Sequence, residues 1–234
     1  MDLADRARGL EWYHTIELGQ GVVTEGVYDL RPYVQRYGLP ERMDGLRALD
    51  AGTFDGFWAF EMERRGAEVV AIDVEDDRYF DWPASRRPKE FTLRKQGAGF
   101  ELAHEALGSS VERRICSVYD ATPERLGTFD LVFCGSVLIH LRDQVLALER
   151  IAALCERVFI SVEAYDRWLS LLPFAAARYR ALRESSVVFW EPNLRAWREM
   201  LMTAGFRAVE QRDRFDIRAR PGWKVRHVTQ IARK

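Results

Sequence analysis

The chain has 234 residues, 47% apolar and 30% charged, with 35 basic against 36 acidic side chains and a net charge of −1. This composition describes a globule with a real core, and it excludes both a disordered chain and binding to a polyanion through bulk charge. Met1 to Trp12 has no apolar signal core, and no run approaches the ~20 apolar residues of a membrane span. Cys116, Cys134 and Cys155 are widely spaced, without a CxxC pair, and His14, His104, His140 and His227 lack metal-ligand spacing. Buried thiols in a reducing, cytoplasmic setting and no metal are expected.

Residues 1–45 are mixed. WYHTIELGQGVVTEG has two glycine breaks, and VYDLRPYVQRYGLPERM has the spacing of a short amphipathic helix ended by Gly38 and Pro40. An N-terminal helical cap is expected here. From Leu46 the pattern changes. LRALD reads as a strand, DGFWAFEMERRG as a helix stopped by Gly66, and AEVVAID as a second strand ending in an acid. Residues 74–110 read as an insertion, with turn-rich DWPASRRPK and a helix in GFELAHEALGS closed by Gly108.

RRICSVYD is a third strand and FDLVFCGSVLIHL a fourth, strongly apolar one. RDQVLALERIAALCE follows as an amphipathic helix with Val145, Leu148, Ile151 and Leu154 on one face, then RVFISVEA as a fifth strand. WLSLLPFAAARYRALRE has helical spacing broken at Pro173, and NLRAWREMLMTAGF is a helix that Asn193 caps and Gly205 ends. RAVEQRDRFDI and WKVRHVTQIARK alternate as paired strands. Strands alternating with helices give an α/β, Rossmann-like, seven-stranded and mostly parallel sheet with helices on both faces and an antiparallel last strand. Residues 46–234 form one domain on this reading, with 1–45 as its cap.

Ligands of open α/β sheets bind outside the carboxyl ends of the strands. There the first strand carries Asp50 with Gly52 and Gly56, the second Asp73, the third Tyr119 and Asp120, and the fourth Ser136 with His140 just beyond. Glycines let backbone approach a ligand. Asp50 can face a cationic group. Asp73, 21 residues after Gly52, sits near the ~20-residue spacing of a ribose-binding acid. Asp120 can accept from an adenine amine beside Tyr119. Each acid taken alone is as readily a turn former or helix cap; three at successive strand ends weaken that alternative.

Phe54 and Phe57 stand where the dinucleotide fingerprint GxGxxG needs glycines, and Phe57 and Trp58 follow Gly56 where a phosphate loop needs lysine and a hydroxyl. An acid before the glycines would repel a pyrophosphate and welcome an ammonium group. The loop therefore favours S-adenosylmethionine.

With these residues in place, the sequence resembles a class I S-adenosylmethionine-dependent methyltransferase. LDAGTFDG, VVAIDV, SVYD and FDLVFCGSVLIHL are similar to its four motifs, and TAGFRAV to its last helix–strand join. GSVLIHL, FWEPNLRAWREMLMTAGF, WYHTIEL and GVVTEG resemble the group related to bacterial tRNA wobble-uridine (carboxy)methyltransferases. The resemblance implies that Asp50, Gly52 and Gly56 hold the methionine end, Asp73 the ribose, Tyr119 and Asp120 the adenine, and that Ser136 lines the cofactor's far side. Phe54 departs from the family's middle glycine. Thr53 and Phe54 then turn away from the cofactor or shape its methionine pocket, and Asp55 either offers a second carboxylate or caps the next helix.

His140 is the candidate general base, against a structural histidine bound to backbone. His14, from the cap, is a candidate to close over the substrate. Of the aromatic residues Trp12, Tyr13, Trp58, Tyr165, Trp168 and Trp190, the substrate wall is expected chiefly from Trp12 and Trp190, and Arg142 is a candidate for a substrate carboxylate or phosphate. A small-molecule acceptor is expected. Two alternatives stay open: a tRNA wobble-uridine methyl- or carboxymethyltransferase using RRPK (86–89), RYRALR (178–183) and RDRFDIRAR (212–220), and a non-catalytic cofactor-binding domain. A homodimer also stays open, and no membrane association is expected.

Overall fold

The computed structural model describes residues 2–91, 97–182 and 187–234. Its centre is set by strands whose side chains alternate between two cores. In β3 (Arg47–Ala51), Ala48 joins one apolar cluster and Leu49 the other; in β4 (Glu68–Asp73), Val69 and Ala71 go one way, Val70 and Ile72 the other. A strand buried on both faces must be covered on both, which is why these runs are apolar throughout.

The main sheet runs β10-β11-β7-β6-β3-β4-β5, with β5 at Glu112–Ile115, β6 at Phe129–Gly135, β7 at Cys155–Ala164, β10 at Ala208–Arg218 and β11 at Lys224–Arg233. β3 to β7 pair in parallel, and β11 lies antiparallel between β7 and β10. The seven-stranded, mostly parallel expectation holds, with the last strand antiparallel. β3 pairs with both β4 and β6, so the order reverses there and the ligand crevice of such a sheet opens at the ends of these strands.

One face is covered by α2 (Phe57–Arg64), α3 (Ala98–Leu107) and the N-terminal residues; the other by α4 (Pro123–Leu126), α5 (Gln144–Leu154) and α6 (Leu194–Thr203). The capping signals act as the sequence suggests. Asn193 Oδ1 accepts from Ala196 N–H at 2.8 Å, and Gly108 ends α3 in the left-handed region.

Three expectations are corrected. Residues 1–45 are not a helical cap: they hold the six-residue α1 (Leu3–Arg8), the hairpin β1 (Glu17–Gly19) and β2 (Val22–Val23), and a 3-10 stretch at Arg31–Tyr37. Gly19, Gln20 and Gly21 all take positive φ, which turns the chain into a hairpin instead of a helix. The segment after the fifth strand makes only one 3-10 turn, Leu169–Leu171, before Pro173. Then β8 (Ala177–Tyr179) pairs antiparallel with β9 (Trp190–Pro192). SVYD is not strand: Ser117 Oγ accepts from Tyr119 N–H and starts a 3-10 turn at Val118–Asp120.

The N-terminal residues belong to the core. Trp12, Ile16, Leu18, Leu30 and Tyr37 are buried in the same cluster as Trp58 and Phe133. Residues 12–16 exchange backbone hydrogen bonds with Thr24, Val27 and Tyr28, and Gly26 lies so close that a Cβ there would sit 2.1 Å from the His14 carbonyl carbon. Gly26→Ala is therefore expected to lose about 3 kcal/mol of stability, seen as a lowered midpoint in thermal or urea unfolding; an unchanged midpoint would refute this packing.

Candidate active site

The crevice at the ends of β6, β3, β4 and β5 gathers the acids that the sequence singles out. Asp50 closes β3 and is buried, and its Oδ2 has no hydrogen-bond partner; the buried Thr53 Oγ1 is likewise unpartnered. Burial pushes the Asp50 carboxyl up to about 7, with the Asp73 charge adding to it. The Thr53 hydroxyl offsets this in part, although its geometry falls short of a hydrogen bond. Two polar atoms left unsatisfied beside a turn fit a ligand that brings hydrogen-bond donors.

Asp73 shapes that turn. Its Oδ2 accepts from Phe54 N–H at 2.7 Å and its Oδ1 from Val74 N–H at 2.7 Å. Burial raises its pKa, and these two N–H groups with the Arg113 charge oppose the rise. Phe54 takes φ 51, the left-handed region where a glycine would sit without strain. The Asp73 bond and the Tyr13 ring, 4.9 Å away, hold it there. The bulky residue thus keeps the backbone path that a middle glycine would take.

Asp55 does different work from that expected. It neither points a free carboxylate at the crevice nor caps α2, whose N-cap is Gly56 without a side-chain bond. Its Oδ2 accepts from Tyr13 N–H at 2.6 Å and His14 N–H at 3.0 Å, tying the N-terminal segment to the loop. Gly52 makes room for Val137, whose Cγ2 would meet a Cβ at 2.3 Å. Gly56 makes room for Phe60 and Phe100. Tyr119 donates to Asp81 Oδ2 at 2.8 Å and accepts from Asp143 N–H at 3.0 Å, while Asp120 is exposed.

Beside this crevice, at the ends of β6 and β7 and the start of β11, lies a cavity of about 980 Å³. Ser136, His140, His14 and His227 line it, with Tyr13, Tyr28, Tyr37 and Trp58 as aromatic walls. The N-terminal residues therefore form one wall of it. His140 Nδ1 donates to the Val187 carbonyl, which fixes the tautomer and leaves Nε2 as an acceptor. Burial lowers its pKa, so it is neutral at physiological pH. His14 is buried with Nδ1 unpartnered, and burial pushes it down to about 3.

Three expected substrate residues lie elsewhere. Trp12 is buried away from this cavity, donating to the Ala7 carbonyl at 2.9 Å and packing on Gly99. The Trp190 ring lies tilted against Tyr179 at 4.8 Å and packs with Phe189 and Ala181. Arg142 pairs with Asp81 at 3.3 Å, donates to the Trp82 carbonyl and covers the Phe189 ring. Sequence reasoning missed His227, Tyr28, Tyr37 and Glu163. None carries a local signal, because each reaches the site only through sheet register or the N-terminal fold-back.

Glu163, at the end of β7, is the most telling of these. It is buried, its Oε1 accepts from Val137 and Leu138 N–H at 3.0 Å each, and its Oε2 has no partner. It holds the turn that carries Ser136 and His140. Burial pushes it up to about 8, against an ordinary value of 4.5. Across that window the folded state holds a proton that the unfolded chain has lost, so stability falls as pH rises from 4.5 towards 8. Glu163→Gln should flatten that slope by about 1 kcal/mol per pH unit, measured by urea unfolding at several pH values; a slope equal to wild type would refute the shift.

Comparison with known proteins shows the family and the fold. Residues 24–211 match a family model described as a methyltransferase domain. A ubiquinone biosynthesis O-methyltransferase from Xanthomonas axonopodis pv. citri is 30% identical over 120 residues, 50% of this chain and 43% of that one. A tRNA U34 carboxymethyltransferase from Desulforapulum autotrophicum is 25% identical over 167 residues, 70% of this chain and 45% of that one. The chain thus spans less than half the length of these curated relatives. Among solved structures, the N-terminal domain of EvdMO1, determined in the presence of SAH and D-fucose, aligns with a TM-score of 0.69 at 21% identity, covering 100% of this chain and 97% of that one. Among the described residues no helix is long and apolar enough to cross a membrane. The chain belongs to the methyltransferase-domain family and has the class I fold of S-adenosylmethionine-dependent methyltransferases.

Proposed function

We propose that this chain transfers a methyl group from S-adenosylmethionine to a small-molecule acceptor bound in the cavity beside the crevice. The observation that carries the cofactor assignment is the buried, unpartnered Asp50 Oδ2 with Thr53 Oγ1 beside it. A carboxylate at that place suits an ammonium and repels a pyrophosphate. Asp50 and Thr53 would hold the methionine end. Asp73, whose two oxygens each keep a free lone pair beyond the bonds to Phe54 and Val74, would accept from the ribose hydroxyls. Asp120 and Tyr119 lie at the next strand end, on the adenine side.

S-adenosylmethionine supplies an electrophilic methyl group when bound. The chain's part is to orient the acceptor in line and to take any proton its nucleophile must lose. His140 Nε2 is the group for that proton, since Nδ1–H is committed to Val187. The aromatic side chains Tyr13, Tyr28, Tyr37 and Trp58 give the acceptor apolar surface to pack against.

A small acceptor is favoured over tRNA by the fate of the basic segments. Arg178 pairs with Asp166, Arg180 with Glu191, and Arg36 with Asp213 beside the last basic run. Arg86 donates to the Ala181 carbonyl. Arg183 lies outside the described residues. With Arg178 and Arg180 held by neighbouring acids, the middle segment does not offer the continuous stripe that phosphate binding needs.

Titration calorimetry with S-adenosylhomocysteine tests the cofactor site. Only ionised Asp50 attracts the ammonium, so affinity should fall up to about tenfold per pH unit below about 7. Asp50→Asn should weaken binding and abolish this dependence; a pH-independent wild type would refute the assignment. For the chemistry, His140→Gln should lower kcat about 100-fold with cofactor affinity retained, and near wild-type turnover would remove His140 as the base.

A further inference from the structure

The hydrogen bonds on the cavity floor have a fixed direction. His227 is buried on β11, and its Nδ1 lies 3.2 Å from the Val225 carbonyl, which can only accept. Nδ1 therefore carries the proton and Nε2 is an acceptor. Ser136 Oγ lies 2.8 Å from that Nε2. The serine must donate its one proton there, so only lone pairs of Ser136 Oγ remain for the cavity. His140 repeats the arrangement: Nδ1–H goes to the Val187 carbonyl and Nε2 is left as a lone pair. Burial keeps both rings neutral, His227 down to about 4.

Ser136 also sits at φ 57 just after a strand, beside a histidine, which is the local look of a hydrolytic nucleophile. That use is blocked. The N–H groups after it, on Val137 and Leu138, would have to stabilise an oxyanion, and Glu163 Oε1 occupies both. The pair is a hydrogen-bond relay of fixed polarity.

Charged side chains also line the cavity. Its three acids pair with three of its five cations: Asp166 with Arg178 at 2.5 Å, Glu191 with Arg180 at 2.5 Å, and Asp216 with Arg226 at 3.2 Å. A carboxylate set against the floor would meet the lone pairs of Ser136 Oγ and His140 Nε2.

We infer that the cavity selects a ring carrying at least two hydroxyl groups, one donating to Ser136 Oγ and one to His140 Nε2, packed between the aromatic walls. This rests on the cavity being the acceptor site of the proposed methyltransferase. It goes further by naming what the acceptor must present: two donors, and neither a carboxylate nor a ketone at those positions. Such a diol could sit on an aromatic ring or on a pyranose, and the chemistry at the floor is the same for both.

The test is binding by calorimetry to the full chain, with and without S-adenosylhomocysteine. The probes are catechol, phenol and benzoate in one arm, and a methyl glucopyranoside with its 2-deoxy counterpart in the other. At least one diol should bind about tenfold more tightly than its partner lacking a hydroxyl, and benzoate should bind more weakly than catechol. The arm that binds identifies the ring type. His227→Leu frees the Ser136 proton to face the cavity, so the preference for catechol over benzoate should shrink about tenfold. His227→Gln keeps an acceptor for that proton and should preserve the preference, which a purely structural role for His227 would not predict. If His227→Leu does not fold, Ser136→Ala must shrink the catechol-to-phenol ratio. Failure of both diols to bind up to their solubility, equal binding of benzoate, or an unchanged preference in the folded variant overturns the inference. The cofactor arm separates the two claims: S-adenosylhomocysteine binding without diol preference leaves the methyltransferase standing, and diol preference without cofactor binding leaves only the cavity's selectivity.

Discussion

The Asp55 carboxylate is the contact on which the rest of the site depends. It lies in the turn after β3, yet it grips the backbone N–H groups of Tyr13 and His14, more than forty positions away. A charged acceptor holding two buried amides is among the stronger single contacts a chain can make, about 1.5–3 kcal/mol for each bond. Through it the cofactor turn and the acceptor cavity become one rigid object. The same segment supplies Tyr13 and His14 to the cavity wall and places the Tyr13 ring against Phe54. Loss of the N-terminal segment would therefore open the cavity and loosen the turn together.

Burial has been spent unevenly on the acids around this junction. Asp55 is buried and satisfied, while Asp50 and Glu163 are buried with one oxygen each unpartnered. A protein gains nothing in stability from such atoms, since an unsatisfied buried oxygen costs more than its bonded counterpart returns. Their persistence at the reversal of strand order is best explained by what they hold or await. Asp50 faces the place for a cationic ligand. Glu163 acts on its own chain, fixing Val137 and Leu138 so that Ser136 and His140 project at set positions.

The alternating two-core strands, their order of appearance and the acids at their ends were legible in the sequence, because a strand buried on both faces must be continuously apolar and a ligand crevice must lie at its carboxyl end. The N-terminal fold and the acceptor wall were not. The glycine breaks in WYHTIELGQGVVTEG were visible, but three successive left-handed residues at Gly19 to Gly21 make a hairpin of them, and Gln20 gives no warning of that. Trp12 and Trp190 looked like wall residues because they are large, aromatic and near the predicted site, although a tryptophan is more often core. His227 is 91 positions from the serine it contacts. Only the antiparallel pairing of β11 with β7, which sets His227 opposite Ala164, brings it to the end of β6.

Phe54 shows how a motif can lose its glycine and keep its geometry. The left-handed backbone costs a bulky residue about 1–2 kcal/mol relative to glycine. A charge-assisted bond from Phe54 N–H to Asp73 can offset a cost of that size. The arrangement links two parts of the cofactor site that are usually considered separately. The acid expected to meet the ribose also holds the turn expected to meet the methionine end. Asp73 therefore has both a structural and a binding role, and a ligand that accepts its help must do so through the lone pairs the turn leaves free. The phenyl ring, meanwhile, packs on Tyr13, a residue of the acceptor wall. Its bulk serves the acceptor wall, so the departure from the glycine pattern and the presence of the N-terminal fold-back are two sides of one adaptation.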